Sequence, residues 1–286
     1  MKNVYALFIL IVVLGCKSNN TIIKTSKPIE VFRVSSEGVP VISAHRGGKG
    51  LVGYPENCLE TMMHISDSIP VVFEIDIAKT KDNRLVLMHD NSIVRTTNGS
   101  GLVSNLTLQT LKTYVLKDDF GSGTSFKIPT LVEVLKWVKT SQVFLTIDIK
   151  HNVDVSEVID VIRNEEAEDH CILITYDLEQ AKKAYELAPE LLLSVSARNF
   201  KEWNTLINSG IPFQNMLAFT GTRLSDTSLF DAIHSKDVLC ILGTLGNLDR
   251  RAKARGDHLY NNWKKLGIDI IATDRPFKAN KALKNN

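Results

Sequence analysis

The chain of 286 residues is 44% hydrophobic and 23% charged, enough for one large core and a length that suits either two average domains or a single α/β barrel. Its 34 Lys and Arg nearly balance 32 Asp and Glu, so it lacks the single-signed field that holds nucleic acid or another polyanion. That balance argues against nucleic acid as a partner.

Met1 and Lys2 give a short basic start, Val4 to Leu14 form an apolar run, and Gly15 and Cys16 close it. The run has the polarity of a signal peptide and falls short of the about 20 apolar residues that a membrane span needs. Val13-Leu14-Gly15-Cys16 resembles the lipobox of bacterial lipoproteins. Residues 1–15 are therefore expected to be a signal peptide, and Cys16 the lipidated residue that ties the mature protein to a membrane of the cell envelope. An ordinary secretory peptide with an incidental Cys is the alternative. Residues 16–37 are polar with little periodicity and read as a tether, leaving 38–286 as one folded domain. The remaining cysteines, Cys58, Cys171 and Cys240, are odd in number, which argues against a disulfide framework in an exported protein.

From Val41 onward, short β-branched apolar runs alternate with longer amphipathic segments and no Pro/Gly/Ser-rich linker interrupts them, as in a parallel sheet made of βα units. Strands are expected near 41–45, 71–77, 143–149, 170–175, 191–195, 216–220, 238–243 and 268–273. Helices are expected near 57–68, 130–140, 154–166, 177–188, 199–208, 225–235 and 247–266, with a short tail helix after Pro276. Eight strands with helices between them predict a TIM (β/α)8 barrel. One more strand, Leu85 to Met88, follows the second after only Lys81-Asp82-Asn83-Arg84, far too short for a parallel crossover. Residues 73–89 therefore read as a β-hairpin at the barrel rim, and 90–129 as a long excursion that caps one face. A doubly wound open sheet, the structural alternative, would lack the closing strand that 268–273 supplies.

Three polar clusters sit where strands end, and in a TIM barrel the C-terminal strand ends carry catalysis. His45 and Arg46 leave an apolar strand straight into Gly47 and Gly48, so the backbone can approach a ligand while Arg offers a planar fork to phosphate oxygens. Strand alternation puts Glu74 and Asp76 on one face and Phe73, Ile75 and Ile77 on the other. Two like charges on one face repel unless a cation lies between them, and oxygen ligands favour a hard ion such as Mg2+ or Ca2+. A pair of solvent-facing acids on an edge strand would look the same in isolation. The pattern recurs in the next barrel strand, where Asp148 and Lys150 share a face; a metal ligand or a structural ion pair would each satisfy it. His89, at the end of the hairpin, is a second imidazole able to give and take protons near neutrality.

These residues lie within an ordered set of motifs: AHRGG at 44–48, PEN at 55–57, EID at 74–76, TKDNRLVLMHD at 80–90, RTTNGSG at 95–101, KIPTLVEVL at 127–135, IDIK at 147–150 and GIDIIATDRP at 267–276. From Val41 to Pro276 the chain resembles the glycerophosphodiester phosphodiesterases. The resemblance implies a TIM barrel that hydrolyses a small glycerophosphodiester to glycerol 3-phosphate and an alcohol. It implies His45 and His89 as general acid and base, Arg46 and Lys150 on the phosphate, and Glu74, Asp76 and Asp148 around one divalent cation, Ca2+ or Mg2+. It also makes Glu56 and Asn57 a supporting polar pair near that ion. Two positions depart from the family pattern: Asp148 stands where Glu is usual, and Gly243-Thr244-Leu245-Gly246-Asn247 stands where a Trp-Thr-Val-Asn-like segment is usual. A related lipid phosphodiesterase on the same barrel, or a surface lipoprotein that binds phosphodiesters without turnover, are the competing functions.

Overall fold

A computed structural model describes residues 25–284. The strands are β1 (Ile42–Ala44), β2 (Val72–Lys79), β3 (Leu85–Leu87), β4 (Phe144–Ile149), β5 (Cys171–Thr175), β6 (Leu192–Ser196), β7 (Met216–Phe219), β8 (Cys240–Gly243) and β9 (Ile270–Thr273). Neighbouring strands pair in parallel from β2 through β4 to β9, and β1 closes the ring by pairing with both β9 and β2. This is a closed eight-stranded TIM barrel, with β3 added antiparallel to the upper half of β2. The hairpin and the closing strand stand where the sequence puts them. Closure removes the exposed edges that an open sheet would leave.

The helices are α1 (Lys27–Val31), α2 (Leu59–Ser66), α3 (Leu108–Leu111), α4 (Leu131–Val138), α5 (Val155–Asn164), α6 (Leu178–Leu187), α7 (Phe200–Ile207), α8 (Thr227–His234), α9 (Asn247–Arg255), α10 (His258–Lys264) and α11 (Pro276–Lys284). Polar residues at their N-termini stop the preceding loops: Thr130 with Glu133 and Asp154 with Glu157 form reciprocal capping boxes. The single helix expected over 247–266 is two helices, because Gly256 adopts φ +114°, outside any helix.

Side chains sort by strand parity. Outward residues such as Phe73, Ile75 and Ile147 pack under the helices in the main core. Inward residues at the N-terminal strand ends, among them Val72, Phe144, Ile172 and Leu217, form an apolar floor. A third cluster around Val86, Ile93, Val103 and Leu116 gives the 90–129 excursion a core of its own.

The floor corrects the expected extent of the tether. Within 16–37, the helix α1 and Phe32 seal the barrel bottom: Ile29 is buried, and Phe32 is fully buried edge-on to Phe144 at 5.1 Å. Five helical residues are too few for a periodic signal, so their apolar seat is visible only in three dimensions. Residues 1–15 and Cys16 lie outside the described residues. Among the described residues, no helix is long and apolar enough to cross a membrane.

Candidate active site

The polar floor of the site is set by register. β2 and β4 pair with Asp76 opposite Asp148 and Glu74 opposite Thr146, so their inward side chains stack as neighbours at the C-terminal end of the barrel. Oxygen atoms of Glu74, Asp76 and Asp148 lie within 4.8 Å of one another. The Lys150 ammonium bonds Asp76 Oδ1 at 2.6 Å and Asp148 Oδ2 at 2.8 Å. Tyr176, at the end of β5, donates its hydroxyl to the other Asp148 oxygen at 2.7 Å.

One ammonium cannot offset three carboxylates. Burial, reinforced by Asp76 and Asp148, pushes the Glu74 carboxyl well above its ordinary range. Burial also works against the charge on Asp76, but Lys150 and the Asn57 amide overcome it and hold that carboxyl low. Burial opposes the Lys150 charge too, and the two aspartates outweigh it, so Lys150 stays protonated more firmly than usual. The donor set, oxygen only with an excess of negative charge, fits a hard divalent cation, and these three residues could hold one.

His45 enters from the other side. The chain turns through a short 3-10 segment, His45–Gly47, with Arg46 at φ 53° and Gly48 at φ 113°. A Cβ on Gly48 would lie 2.3 Å from Ile65 Cδ1 and 2.9 Å from Thr61 Cγ2, so only glycine lets the turn press against α2. The Arg46 amide donates to Glu74 Oε2 at 2.7 Å. His45 Nδ1 meets Asp274 Oδ1 at 2.6 Å, while its Nε2 lies 3.9 Å from Glu74 Oε2. Burial works against the Asp274 charge, yet His45 and Lys49 hold this carboxyl below its ordinary range. As a carboxylate it accepts, so Nδ1 of His45 carries the proton and Nε2 is turned toward the carboxylate cluster.

His89 is held by the same device. Its Nδ1 lies 2.7 Å from Asp90 Oδ1, and its Nε2 lies 2.7 Å from Arg46 Nη2. A guanidinium only donates, so Nε2 of His89 presents a lone pair and Nδ1 bears the proton. Arg46 also reaches the buried Glu56 carboxylate at 3.2 and 3.3 Å. Arg95 reaches it more closely, at 2.6 and 3.0 Å, and bonds Asp90 at 2.6 and 3.1 Å.

The fold thus gathers His45, Arg46, Glu74, Asp76, His89, Asp148 and Lys150 around one mouth. Asn57 supports the cluster directly: it donates to Asp76 Oδ2 at 2.8 Å and accepts from the Asp76 amide at 3.1 Å. Glu56 departs from expectation, because its carboxylate faces Arg46 and Arg95 rather than the carboxylate cluster. Two adjacent residues at a turn, with Asn57 at φ 51°, point their side chains to different partners. Sequence reasoning missed Asp274, Arg95 and Tyr176. Asp274 and Tyr176 each follow the last residue of a barrel strand, β9 and β5, and that placement is the signal that could have found them.

The cluster opens into a cavity of about 200 Å³ whose lining joins His45, Glu74, Asp76, His89 and Asp148 to Phe219, Ile241 and Leu245. Leu245 stands in the segment that departs from the family pattern. A larger groove of about 640 Å³ opens past Tyr176 between the ends of β4 and β5.

Residues 45–220 match the Glycerophosphoryl diester phosphodiesterase family. The chain belongs to this family. It is accordingly an enzyme, a phosphoric diester hydrolase. A glycerophosphodiester phosphodiesterase of Bacillus altitudinis is 28% identical over 245 residues, covering 83% of this chain and 96% of the relative. The crystal structure of a glycerophosphoryl diester phosphodiesterase from Parabacteroides distasonis superposes with a TM-score of 0.82 at 31% identity, over 91% of this chain and 92% of that one. An Oleispira antarctica phosphodiesterase, solved in complex with the product sn-glycerol-3-phosphate, shares the fold at a TM-score of 0.68 and 20% identity, over 86% of this chain and 97% of that one. In this family member the matched segment begins at His45 and includes both histidines, the three clustered carboxylates and Lys150.

Proposed function

We propose that the protein hydrolyses glycerophosphodiesters to glycerol 3-phosphate and an alcohol, using His45 and His89 as a general acid and base pair and a divalent cation, Ca2+ or Mg2+, held by Glu74, Asp76 and Asp148. The observation that carries this reading is the pairing of two imidazoles, each with Nδ1 tied to a carboxylate, beside a carboxylate cluster. Each pairing sets the tautomer and makes Nε2 the atom for proton transfer, which in His89 accepts from Arg46 Nη2 until substrate binds. One histidine takes the proton of the attacking oxygen as the new P–O bond forms. The other returns a proton to the leaving alkoxide as the old P–O bond breaks. Together such transfers contribute about 10² to 10⁴ in rate each. Arg46 and Lys150 would donate to the non-bridging phosphate oxygens and offset the charge that develops there. A bound divalent cation would supply Lewis-acid polarisation of the phosphate.

Cys16, in its lipobox-like setting, would anchor this activity to a membrane of the cell envelope; the apolar run before it is the support for that placement. The substrate is a small molecule rather than a polymer, in keeping with a cavity of about 200 Å³. The test is product analysis. Incubation with glycerophosphocholine, glycerophosphoethanolamine and glycerophosphoglycerol should release glycerol 3-phosphate in the presence of Ca2+ or Mg2+ and not in chelator. Release of a phosphorylated alcohol together with free glycerol, or full turnover in chelator, would sink the reading.

A further inference from the structure

The 90–129 excursion has a hydrophobic cluster under it, and it sends Asp90 and Arg95 back to the site. Arg95 bridges two carboxylates that belong to different parts of the machinery. With one edge of its guanidinium it holds Glu56 at 2.6 and 3.0 Å, and with the other it holds Asp90 at 2.6 and 3.1 Å.

The Glu56 side chain is only 2% exposed and is shared by two guanidinia. A buried carboxylate needs a close partner, and leaving it alone is costly. The Arg95 contacts are the short pair, whereas those of Arg46 are 3.2 and 3.3 Å. Arg46 is poorly used by its present partners. Its Nη2 donates to a neutral imidazole, and its Nε is buried without a hydrogen-bond partner. Charged phosphate oxygens are better acceptors than either arrangement offers. The same Arg46 contact covers His89 Nε2, the atom that proton transfer needs. A shift of Arg46 toward a bound phosphate would free His89 Nε2, and it would leave the Glu56 carboxylate buried and underpaired unless another cation stays with it.

We propose that Arg95 is a positioning residue of the hydrolysis: it keeps Glu56 neutralised so that Arg46 can leave for the substrate phosphate and uncover His89, and through Asp90 it holds the His89 ring in place. The inference rests on the proposed roles of Arg46 and His89. Arg95 touches neither the reacting atoms nor the carboxylate cluster, and its side chain is 40% exposed, so truncating it removes little packing.

The test is steady-state kinetics on glycerophosphocholine with saturating Mg2+ or Ca2+, comparing wild type, R95A, R95K, E56Q/R95A, R46A and H89A, with the unfolding temperature of each measured alongside. In R95A the Glu56 carboxylate has, among the described residues, only Arg46 and the more distant Lys49, at 3.8 Å, to lean on. Arg46 is then retained, and KM should rise about tenfold, while loss of the Asp90 brace lowers kcat about tenfold, the range in which supporting partners of a site act. R95K cannot span both carboxylates at once and should fall between wild type and R95A, which keeps the comparison readable if R95A folds poorly. In E56Q/R95A the neutral amide no longer detains Arg46. KM should return to within about threefold of wild type, while kcat stays low because His89 is still unbraced. A purely structural role for Arg95 would lower both constants and the unfolding temperature with no rescue by E56Q. R95A within twofold of wild type in both constants, or a KM that E56Q fails to relieve, would overturn the inference alone if R46A and H89A are impaired. H89A at wild-type kcat would overturn it together with the reading it rests on.

Discussion

Replacing Glu74 by Gln should cost the metal-free protein little and abolish most of what a divalent cation adds. In the cluster, burial and the charges of Asp76 and Asp148 raise the Glu74 carboxyl above its ordinary value of 4.5, so the metal-free folded chain binds a proton there that the unfolded chain releases. A carboxyl raised on folding contributes its full stability below that ordinary value and loses it as the pH rises through the folded value. Chelated wild type should therefore lose stability relative to E74Q as the pH is raised from 5 toward 8. Asp76 does not mask this, because its lowered carboxyl acts below its ordinary value of 3.8. A cation at a hundred times its dissociation constant stabilises the folded state by about 2.7 kcal/mol. For a domain of this size that is an upward shift of about 5–10 °C in Tm. Removing one of three charged ligands that weakens binding about a hundredfold leaves about 0.4 kcal/mol at the same cation concentration, a shift of about 1–2 °C. Thermal unfolding followed by circular dichroism, in chelator and in excess Mg2+ or Ca2+, at several pH values, reads all of these quantities. An E74Q protein that keeps the full cation shift would refute the assignment of Glu74 to the ion, and one whose chelated profile runs parallel to wild type across the pH range would refute the raised carboxyl.

His45→Ala and His89→Ala should each lower kcat by at least about a hundredfold with smaller changes in KM, measured as glycerol 3-phosphate release; a variant that keeps wild-type kcat would remove that histidine from proton transfer. Phe32→Ala, at a fully buried position under the barrel floor, should cost about 3–5 kcal/mol in denaturant titration. It should leave kcat/KM at room temperature near wild type, because the floor and the catalytic mouth are opposite ends of the barrel; a loss below about 1 kcal/mol would mean that Phe32 is not seated as described. Cys16→Ser should move the protein from the membrane fraction to the soluble fraction with unchanged specific activity, and a wild-type protein that fractionates as soluble would end the anchoring proposal.

Local chemistry alone located the barrel strands, because each is an apolar β-branched run bounded by turns, and the spacing left helices between them. Alternation alone put Glu74 with Asp76 and Asp148 with Lys150, since successive side chains in any strand face opposite ways. The four-residue link before β3 ruled out a parallel crossover without recourse to coordinates. What the local pattern could not carry were the partners. Asp274 lies 229 residues from His45 along the chain, and Arg95 lies 39 from Glu56; only barrel closure and the folding of the excursion make them neighbours. The pairing register of β2 with β4 decided that Asp76 would stand beside Asp148 rather than one layer away. Backbone conformation decided the rest: a left-handed Asn57 sends Glu56 to the arginines, and Gly256 divides one predicted helix into two. Sequence determined which residues face inward, because that depends on a period of two. Tertiary structure decided which inward residues meet, because that depends on strand registers, on ring closure and on where the long excursion settles.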